Sequence, residues 1–441
     1  MTPDKKAIWG WAMYDWANSA FATTVMAGFF PIFFKEFWSL GANVNVSTAR
    51  LGIANAVAGL VVALAAPVLG AVADRAGIRK RLLLLFAYLG VLMSGALFFI
   101  GSGMWEWAVF VYVMGVVGFS GANVFYDALL PSVAGTRLDR VSSLGYGFGY
   151  LGGGLLFLIN VLMTLMPQRF GLPDAAAAVR VSFLTVALWW GGFTLLTLRW
   201  VPGDEQLPVG RGPWRKMITD GVRQVLDMLR ILCRQRTIGL FLLAYWFYID
   251  GVDTIVRMAV DYGLSLGFDK TDLILSLLVV QFVGFPAAIA FGILGEKWGV
   301  RKGIYLGIVS YLFITCWGSM ISSKKEFYIL AVMIGLVQGG LQALSRSYYS
   351  RLIPAERTAQ YFGLYNLIGK FAAIMGPALM AVTGIVARRL LMPTSPTPAQ
   401  LDAVGILASR WSIGSLIILF TAGGLFFYFS GKKNFNCPGC D

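Results

Sequence analysis

Seven charged side chains lie inside long apolar runs of this 441-residue chain. They are Asp15, Asp127, Asp250, Asp253, Arg257, Arg346 and Lys370. A charge at the centre of a bilayer costs about 2.5–3.5 kcal/mol on insertion scales, so such a residue usually has a partner or a function. A desolvated acid can carry a proton, and a guanidinium can bind a carboxylate through two parallel hydrogen bonds. The set is therefore predicted to form ion pairs or to carry a function within the membrane.

Three of these residues share one helical face. Asp250, Asp253 and Arg257 are separated by three and four positions, the spacing of neighbours on a helix surface. We expect Asp253 to pair with Arg257, which leaves Asp250 without a partner on its own helix. Asp250 or Asp15 is then the predicted proton-coupling group, with Asp127 as a further coupling or ion-pair residue. The alternative is a structural ion pair or gate that never titrates.

Charges of both signs suggest a zwitterionic solute. The candidate binding residues are Tyr14, Asp15, Asn18, Gln342, Arg346, Asn366 and Lys370. Arg346 and Lys370 can contact a carboxylate, whereas Asp15 can receive an ammonium group. The alternative interpretation is that Asp15 and Arg346 form an inner gate and do not touch the solute.

The elements that position these residues are membrane-spanning helices. Hydrophobic residues make up 58% of the chain and charged residues 13%, against about 45–50% and about 25% in soluble domains. A soluble enzyme, a disordered protein and a disulfide scaffold are thereby excluded. Apolar runs of spanning length occur at 8–34, 49–73, 81–101, 105–130, 141–166, 177–201, 237–264, 272–296, 301–322, 326–353, 359–388 and 403–430. We predict an all-α membrane protein with twelve transmembrane helices.

The longest polar stretch, 202–236, divides the spans into six and six. We predict an N-terminal six-helix bundle over 1–201, a linker over 202–236 and a C-terminal bundle with a short tail over 237–441. The linker contains apolar residues at helical spacing among basic ones, which predicts an amphipathic helix on the membrane surface. Placing both termini and the linker in the cytoplasm puts most Lys and Arg on that side, as the positive-inside rule requires. The net charge of +14 is then explained without a nucleic-acid partner.

An internal repeat supports two equivalent halves. Glycines, acids and bases recur at matching spacing after the second and the eighth span, half a chain apart. The copies are Gly70, Asp74, Arg75, Gly77 and Arg79, and Gly292, Glu296, Lys297, Gly299 and Arg301. The glycines permit a tight turn, and the charges can pair across neighbouring helix ends. Two six-span halves of equal topology are parallel repeats, and we predict that these loops act as conformational gates.

This repeat resembles the signature loop of the major facilitator superfamily. Further segments resemble the vacuolar amino-acid effluxer (autophagy-related) family and its bacterial relatives. They are YDWANSAF at 14–21, LGYGFGYLG at 144–152, YIDGVDT at 248–254, GGLQALSRS at 339–347, FGLYN at 362–366 and GKF at 369–371. The resemblance implies a major facilitator fold of two pseudo-symmetric six-helix bundles with alternating access, and amino-acid efflux for the fungal members. It also implies that spans one, four, seven and ten line the central cavity.

We therefore predict a secondary active transporter of the cell (inner) membrane that moves a small amino-acid-like solute. Coupling to protons is expected, with sodium as the alternative, and a monomer is expected. Export of drugs or other metabolites and lysolipid flipping remain as alternatives. Histidine is absent and no nucleotide-binding loop is found, so no enzyme and no cofactor are predicted. Cys437 and Cys440 form one two-cysteine knuckle, which lacks the four ligands of a structural metal site, so no metal is predicted.

Overall fold

The computed structural model of the chain describes residues 4–41, 44–203, 235–393 and 397–431. Long helices account for most of this part, and no strand occurs in it. The predicted linker helix falls within 204–234, and Cys437 and Cys440 follow 431, so these predictions lie outside the described residues. The all-helical prediction is confirmed for the ranges that the structure describes.

Twelve long helices, numbered in chain order, match the twelve predicted spans. Their bounds are α1 Lys5–Trp38, α2 Val44–Ala76, α3 Arg79–Ala96, α4 Trp105–Ala128, α5 Leu138–Leu165, α6 Ala175–Trp200, α7 Arg236–Ser265, α8 Lys270–Trp298, α9 Val300–Gly318, α10 Lys324–Leu352, α11 Thr358–Leu391 and α12, which consists of Pro398–Ser415 and Ile417–Ser430. Within the described ranges, ten helices are long and apolar enough to cross a membrane. The other two, α9 and α11, complete the alternation.

Local sequence explains where several helices begin and turn. Asp174 caps α6 by accepting a hydrogen bond from the Ala177 amide at 2.7 Å, and Ser323 opens α10 in a reciprocal capping box that satisfies free N–H groups of the first turn. Gly77 and Gly299 follow α2 and α8 with φ of 64° and 94°, a region that favours glycine. The two repeat copies therefore make the tight turns that their glycines predict.

The helices form two halves, α1–α6 and α7–α12, which meet along two main seams. One seam packs α2 against α11, and the other packs α5 against α8 and α10. Large apolar side chains such as Leu64, Leu188 and Phe99 are exposed on the outside of the helices, as expected for surfaces that face lipid.

Successive helices run in opposite directions, so every second connection lies at the same end of the molecule. We call this end the terminus face, because α1 begins there at Lys5 and α12 ends there at Ser430. The α2–α3, α4–α5, α8–α9 and α10–α11 connections also lie there. The seams between the halves reach this face, where Asp15, Asp127 and Arg346 meet.

Candidate functional site

A buried guanidinium joins the two halves near the terminus face. Arg346 of α10 is 2% exposed. Its Nη1 donates to Asp127 at 3.0 Å, and its Nη2 lies 3.5 Å from a carboxylate oxygen of Asp15. Its Nε and Nη2 donate to the hydroxyl and the carbonyl of Ser142 at 2.9 and 2.8 Å. We call Arg346, Asp15, Asp127 and Ser142 the charged clasp.

Aromatic rings enclose the cation of the clasp. The guanidinium carbon of Arg346 lies 4.8 Å from the ring centre of Trp11, 5.4 Å from that of Tyr126 and 4.4 Å from that of Tyr146. These distances allow cation–π attraction. The Tyr126 hydroxyl also donates to Asp15 at 2.7 Å, and the Trp11 indole donates to the Tyr126 carbonyl at 2.9 Å. The rings therefore fix the acid and shield the cation from water.

Every partner of Arg346 in the clasp comes from the other half of the chain. Asp15 stands on α1, Asp127 at the end of α4 and Ser142 on α5. The Ser142 hydroxyl also donates to the Ala343 carbonyl of α10 at 2.8 Å. Separating the halves here would leave buried charges without their partners, which is energetically costly. The clasp therefore holds the halves together at this level. Two carboxylates face one guanidinium. When both acids are ionised, the clasp as a whole therefore carries one negative charge in excess.

The first repeat copy makes a second polar crossing at the terminus face. Asp74, at the end of α2, accepts the backbone N–H groups of Ala359 and Gln360 at 3.0 and 2.8 Å. These amides belong to the first turn of α11, where the helix dipole favours an anion. Arg79 donates to Asp74 at 2.6 Å and to the Glu356 carbonyl at 3.3 Å. The predicted acid–base pairing is present in this copy.

The second repeat copy is used differently. Glu296, the counterpart of Asp74, is exposed. Arg301 donates to the Tyr348 hydroxyl at 2.9 Å and to the Phe427 carbonyl at 3.0 Å, so it fastens α9 to α10 and α12 inside its own half. Arg75 and Lys297 are exposed.

A third crossing involves Asp139, which the sequence analysis missed. Asp139, in the first turn of α5, accepts from the Ser347 hydroxyl at 2.5 Å and from Arg351 at 2.8 Å. Both donors belong to α10 of the other half. An acid in the first turn of a predicted helix is the sequence signal that could have found Asp139. All three crossings lie toward the same face.

The candidate binding residues around the clasp differ in their burial and in their hydrogen-bond partners. The Tyr14 ring is buried against Tyr126, with ring centres 5.0 Å apart. Asn18 donates to Asn123 at 2.6 Å, and Asn366 donates to Asp127 at 3.2 Å. Gln342 is partly exposed. The side chain of Lys370 lies outside the described part of the structure.

Two expectations for α7 are wrong. Asp250 is fully buried, and both its carboxylate oxygens lie 3.0 Å from the Gly376 amide of α11. Thr254, on the same helix as Asp250, donates to it at 3.2 Å, so Asp250 does have a partner on its own helix. The Asp253–Arg257 pair is absent: Arg257 is exposed and makes no hydrogen bond or ion pair with a described residue. A spacing of four places two side chains on one face without forcing contact.

An apolar cavity that is partly open to the outside lies away from the clasp in the second half. Residues of α7, α8, α9, α10 and α12 line it, and almost all its surface is apolar. Its hydroxyls are already bonded: Tyr262 donates to the Gly318 carbonyl at 2.6 Å, and Ser276 and Thr315 donate to carbonyls of their own helices. This cavity therefore offers no group for binding a charged solute.

The α2–α11 seam provides a steric test of closure at the terminus face. A Cβ added to Gly70 would lie 2.6 Å from the Ala359 carbonyl carbon and 2.9 Å from the Gln360 Cα, both backbone atoms, whereas a Cβ on Gly59 meets nothing within 4 Å. We expect Gly70→Ala to disfavour the closed form by about 1–3 kcal/mol, the usual cost of overpacking, and Gly59→Ala to have little effect. The measurement is thiol labelling of a cysteine placed at the seam. Equal labelling in the two variants would contradict this expectation.

Comparison with known proteins identifies similar chains. A family model described as "Vacuole effluxer Atg22 like" matches residues 3–50 and 39–386. The chain is 37% identical over 416 residues to the uncharacterized MFS-type transporter YxiO of Bacillus subtilis (strain 168), covering 94% of this chain and 92% of that one. It is 27% identical over 281 residues to autophagy-related protein 22-2 of Penicillium rubens. It spans about half the length of such fungal relatives.

Solved structures support the same architecture. The human organic anion transporter MFSD10 superimposes with a TM-score of 0.68 at 14% identity, over 97% of this chain and 100% of that one. The proton:xylose symporter XylE, a major facilitator superfamily protein, superimposes with a TM-score of 0.66 at 13% identity, over 96% and 94%. At these identities the likeness establishes the fold alone, which is the major facilitator fold that the family resemblance implied.

Proposed function

Because the chain belongs to the Atg22-like family of major facilitator transporters, we propose that it moves a small zwitterionic, amino-acid-like solute across the cell membrane by alternating access. The observation that carries this proposal is the charged clasp, which joins the two halves through buried opposite charges at one face. A seam that polar groups close at one end can open there when those groups change partners. The effluxer description of the family model and the mixed charges along the seams support an amino-acid-like solute.

The side of the membrane on which each face lies is inferred from the charges of the loops. With the positive-inside orientation, the terminus face is cytoplasmic, and the conformation described is closed toward the cytoplasm. The unit is a monomer of two six-helix halves, 1–201 and 237–441, joined by the linker 202–236. Asp74, Asp139 and the charged clasp then serve as the cytoplasmic gate, and Asp15 with Arg346 belongs to that gate.

Proton coupling follows from the charge of the clasp. Asp15 holds Arg346 by the longer contact, 3.5 Å against 3.0 Å for Asp127. A proton on Asp15 removes the excess negative charge and leaves the Arg346–Asp127 pair neutral. We propose that Asp15 exchanges the proton as the gate opens and closes, with sodium as the alternative coupling ion.

The test is transport in proteoliposomes that contain the purified full chain. Labelled amino acids are offered with and without a proton gradient, and we expect gradient-driven accumulation that Asp15→Asn uncouples. Arg389→Gln, which removes an exposed charge of α11, is the matched control. Equal accumulation by the wild type with and without the proton gradient would refute proton coupling. If no amino acid is transported, the proposed solute class is wrong.

The apolar cavity favours a second candidate function, movement of lysolipids. Its lining is almost entirely apolar and suits an alkyl chain. The same proteoliposomes, offered a fluorescent lysolipid, separate the two functions. Lysolipid movement without amino-acid movement would favour the second.

A further inference from the structure

The acids and the rings that surround the cation of the clasp all belong to the first half of the chain. Two carboxylates and three aromatic rings surround the guanidinium of Arg346, whose carbon lies 4.4 to 5.4 Å from the three ring centres. Arg346 itself stands on α10 of the second half. If the halves separate at this face, the first half therefore keeps an anionic aromatic enclosure and loses the cation that fills it. We call this enclosure the cation cage: Trp11 and Asp15 of α1, Tyr126 and Asp127 of α4, and Tyr146 of α5.

The cage is held in shape by contacts within the first half. The Trp11 indole donates to the Tyr126 carbonyl at 2.9 Å, and the two rings stack with their centres 4.3 Å apart. The Tyr126 hydroxyl donates to Asp15 at 2.7 Å. Gly145 leaves room for these groups, because an added Cβ would lie 2.6 Å from an Asp15 carboxylate oxygen and 2.8 Å from the Tyr126 hydroxyl. None of these contacts uses an atom of the second half, so this part of the cage is preorganised.

The charge of the cage is balanced only from the second half. Among the described residues, Asp15 and Asp127 have no basic partner other than Arg346. Asp127 also accepts a hydrogen bond from Asn366 of α11 at 3.2 Å, which belongs to the second half as well. Withdrawal of Arg346 leaves two largely buried carboxylates without a counter-charge, which is energetically costly. Because the faces of aromatic rings attract cations, a mobile cation that takes the place of the guanidinium is favoured.

We propose that the cation cage binds the cationic group of the solute, an ammonium or a guanidinium, when the terminus face is open. Aromatic rings with a negative charge beside them are a recurrent arrangement for binding organic cations. The solute and Arg346 then compete for one place, so the face closes only after the solute has left the cage. This inference rests on the proposed function in taking the halves to separate at the terminus face.

The first test asks whether the cage binds a free cation once Arg346 is removed. Thermal unfolding of the purified full-length Arg346→Ala protein is followed with millimolar ethylammonium, ethylguanidinium or the uncharged isostere N-ethylurea. We expect a cation, and not N-ethylurea, to raise the unfolding temperature, and the more effective cation identifies the group that the solute carries. Because Arg346 fills the cage of the wild type, its apparent affinity should be at least about tenfold weaker. Arg389→Ala, which removes an exposed charge, should behave as the wild type does.

The second test keeps Arg346 in place, so it remains decisive if Arg346→Ala does not fold. The full chain with its native cysteines replaced carries Ser143→Cys, at a position that is 1% exposed in the closed form, and is labelled with a membrane-permeant maleimide. A cation at ten times its Kd for the open form should raise the ratio of open to closed molecules about tenfold. Labelling should accelerate accordingly with the cation and not with N-ethylurea. Asp15→Asn should lose most of this acceleration relative to its own rate without a cation.

The outcomes separate this inference from the proposed function. If a folded Arg346→Ala protein binds neither cation, or binds N-ethylurea equally well, the inference is overturned whether or not amino acids are transported. If cations stabilise Arg346→Ala but do not accelerate labelling when Arg346 is present, the cage serves Arg346 alone and the inference is likewise overturned. If cations act in both tests and no amino acid is transported, the inference stands and the proposed solute class is wrong.

Discussion

Replacing Arg346 with Ala is expected to open the terminus face and to abolish coupled transport. The substitution leaves Asp15 and Asp127 facing each other in a buried site without their cation. Removing one partner of a buried ion pair destabilises by about 3–5 kcal/mol. If this cost falls on the closed form alone, the ratio of open to closed molecules rises by about 100- to 4,000-fold, since 1.4 kcal/mol is a factor of ten.

A cysteine at Ser143 reports on this change. Ser143 is 1% exposed and lies in the α5–α8 seam, where a Cβ on Gly292 would meet the Ser143 Cβ at 2.6 Å. With the native cysteines replaced, labelling of Ser143→Cys by a membrane-permeant maleimide should accelerate strongly in Arg346→Ala and remain slow in the control Arg389→Ala. Arg346→Lys, which keeps the charge but loses the fork, should be intermediate. A folded Arg346→Ala protein that labels at the wild-type rate would show that the clasp is not the gate.

The difference between predicted and observed partners has a physical origin. Apolar run length and hydropathy were enough to predict the helices, because lipid requires every span to satisfy its own backbone. Asp15, Asp127 and Arg346 could be selected as charges in apolar runs, since a charge there is costly whatever surrounds it. Which of them touch depends on how helices from different halves pack, and one chain read alone carries no signal for that.

Hydrogen-bond partners that belong to the backbone could not be predicted from the sequence. The carboxylates of Asp74 and Asp250 both accept hydrogen bonds from backbone amides of α11. Every residue except proline has such an amide, so the residue type does not reveal this partner. The two repeat copies are nearly equivalent in sequence, yet Asp74 bridges the halves while Glu296 is exposed. Pseudo-symmetry of the sequence therefore fixed the positions of the turns but not the bonds made there.

Asp250 is expected to matter for the stability of α11 and not for the coupling proton. Its carboxylate receives the Gly376 N–H directly before Pro377, which interrupts the hydrogen bonding of α11 because proline has no N–H to donate. Hydrogen bonds to charged groups contribute about 1.5–3 kcal/mol each, and a buried donor left bare costs a similar amount. Asp250→Ala should therefore lower the unfolding temperature by several degrees. Asp250→Asn, which keeps an acceptor oxygen for the amide, should lose less.

The pH profile of transport separates this structural role from the proton-coupling role that the sequence suggested. We expect Asp250→Asn to keep the wild-type dependence of transport on pH and on the proton gradient, at a lower yield of folded protein. Asp15→Asn, in the clasp, should flatten that dependence while leaving the unfolding temperature closer to the wild type. A flat profile in Asp250→Asn with normal stability would return the coupling proton to Asp250. The assignment turns on one geometric fact: an acid that holds a helix backbone with both oxygens cannot release it in every transport cycle without also releasing α11.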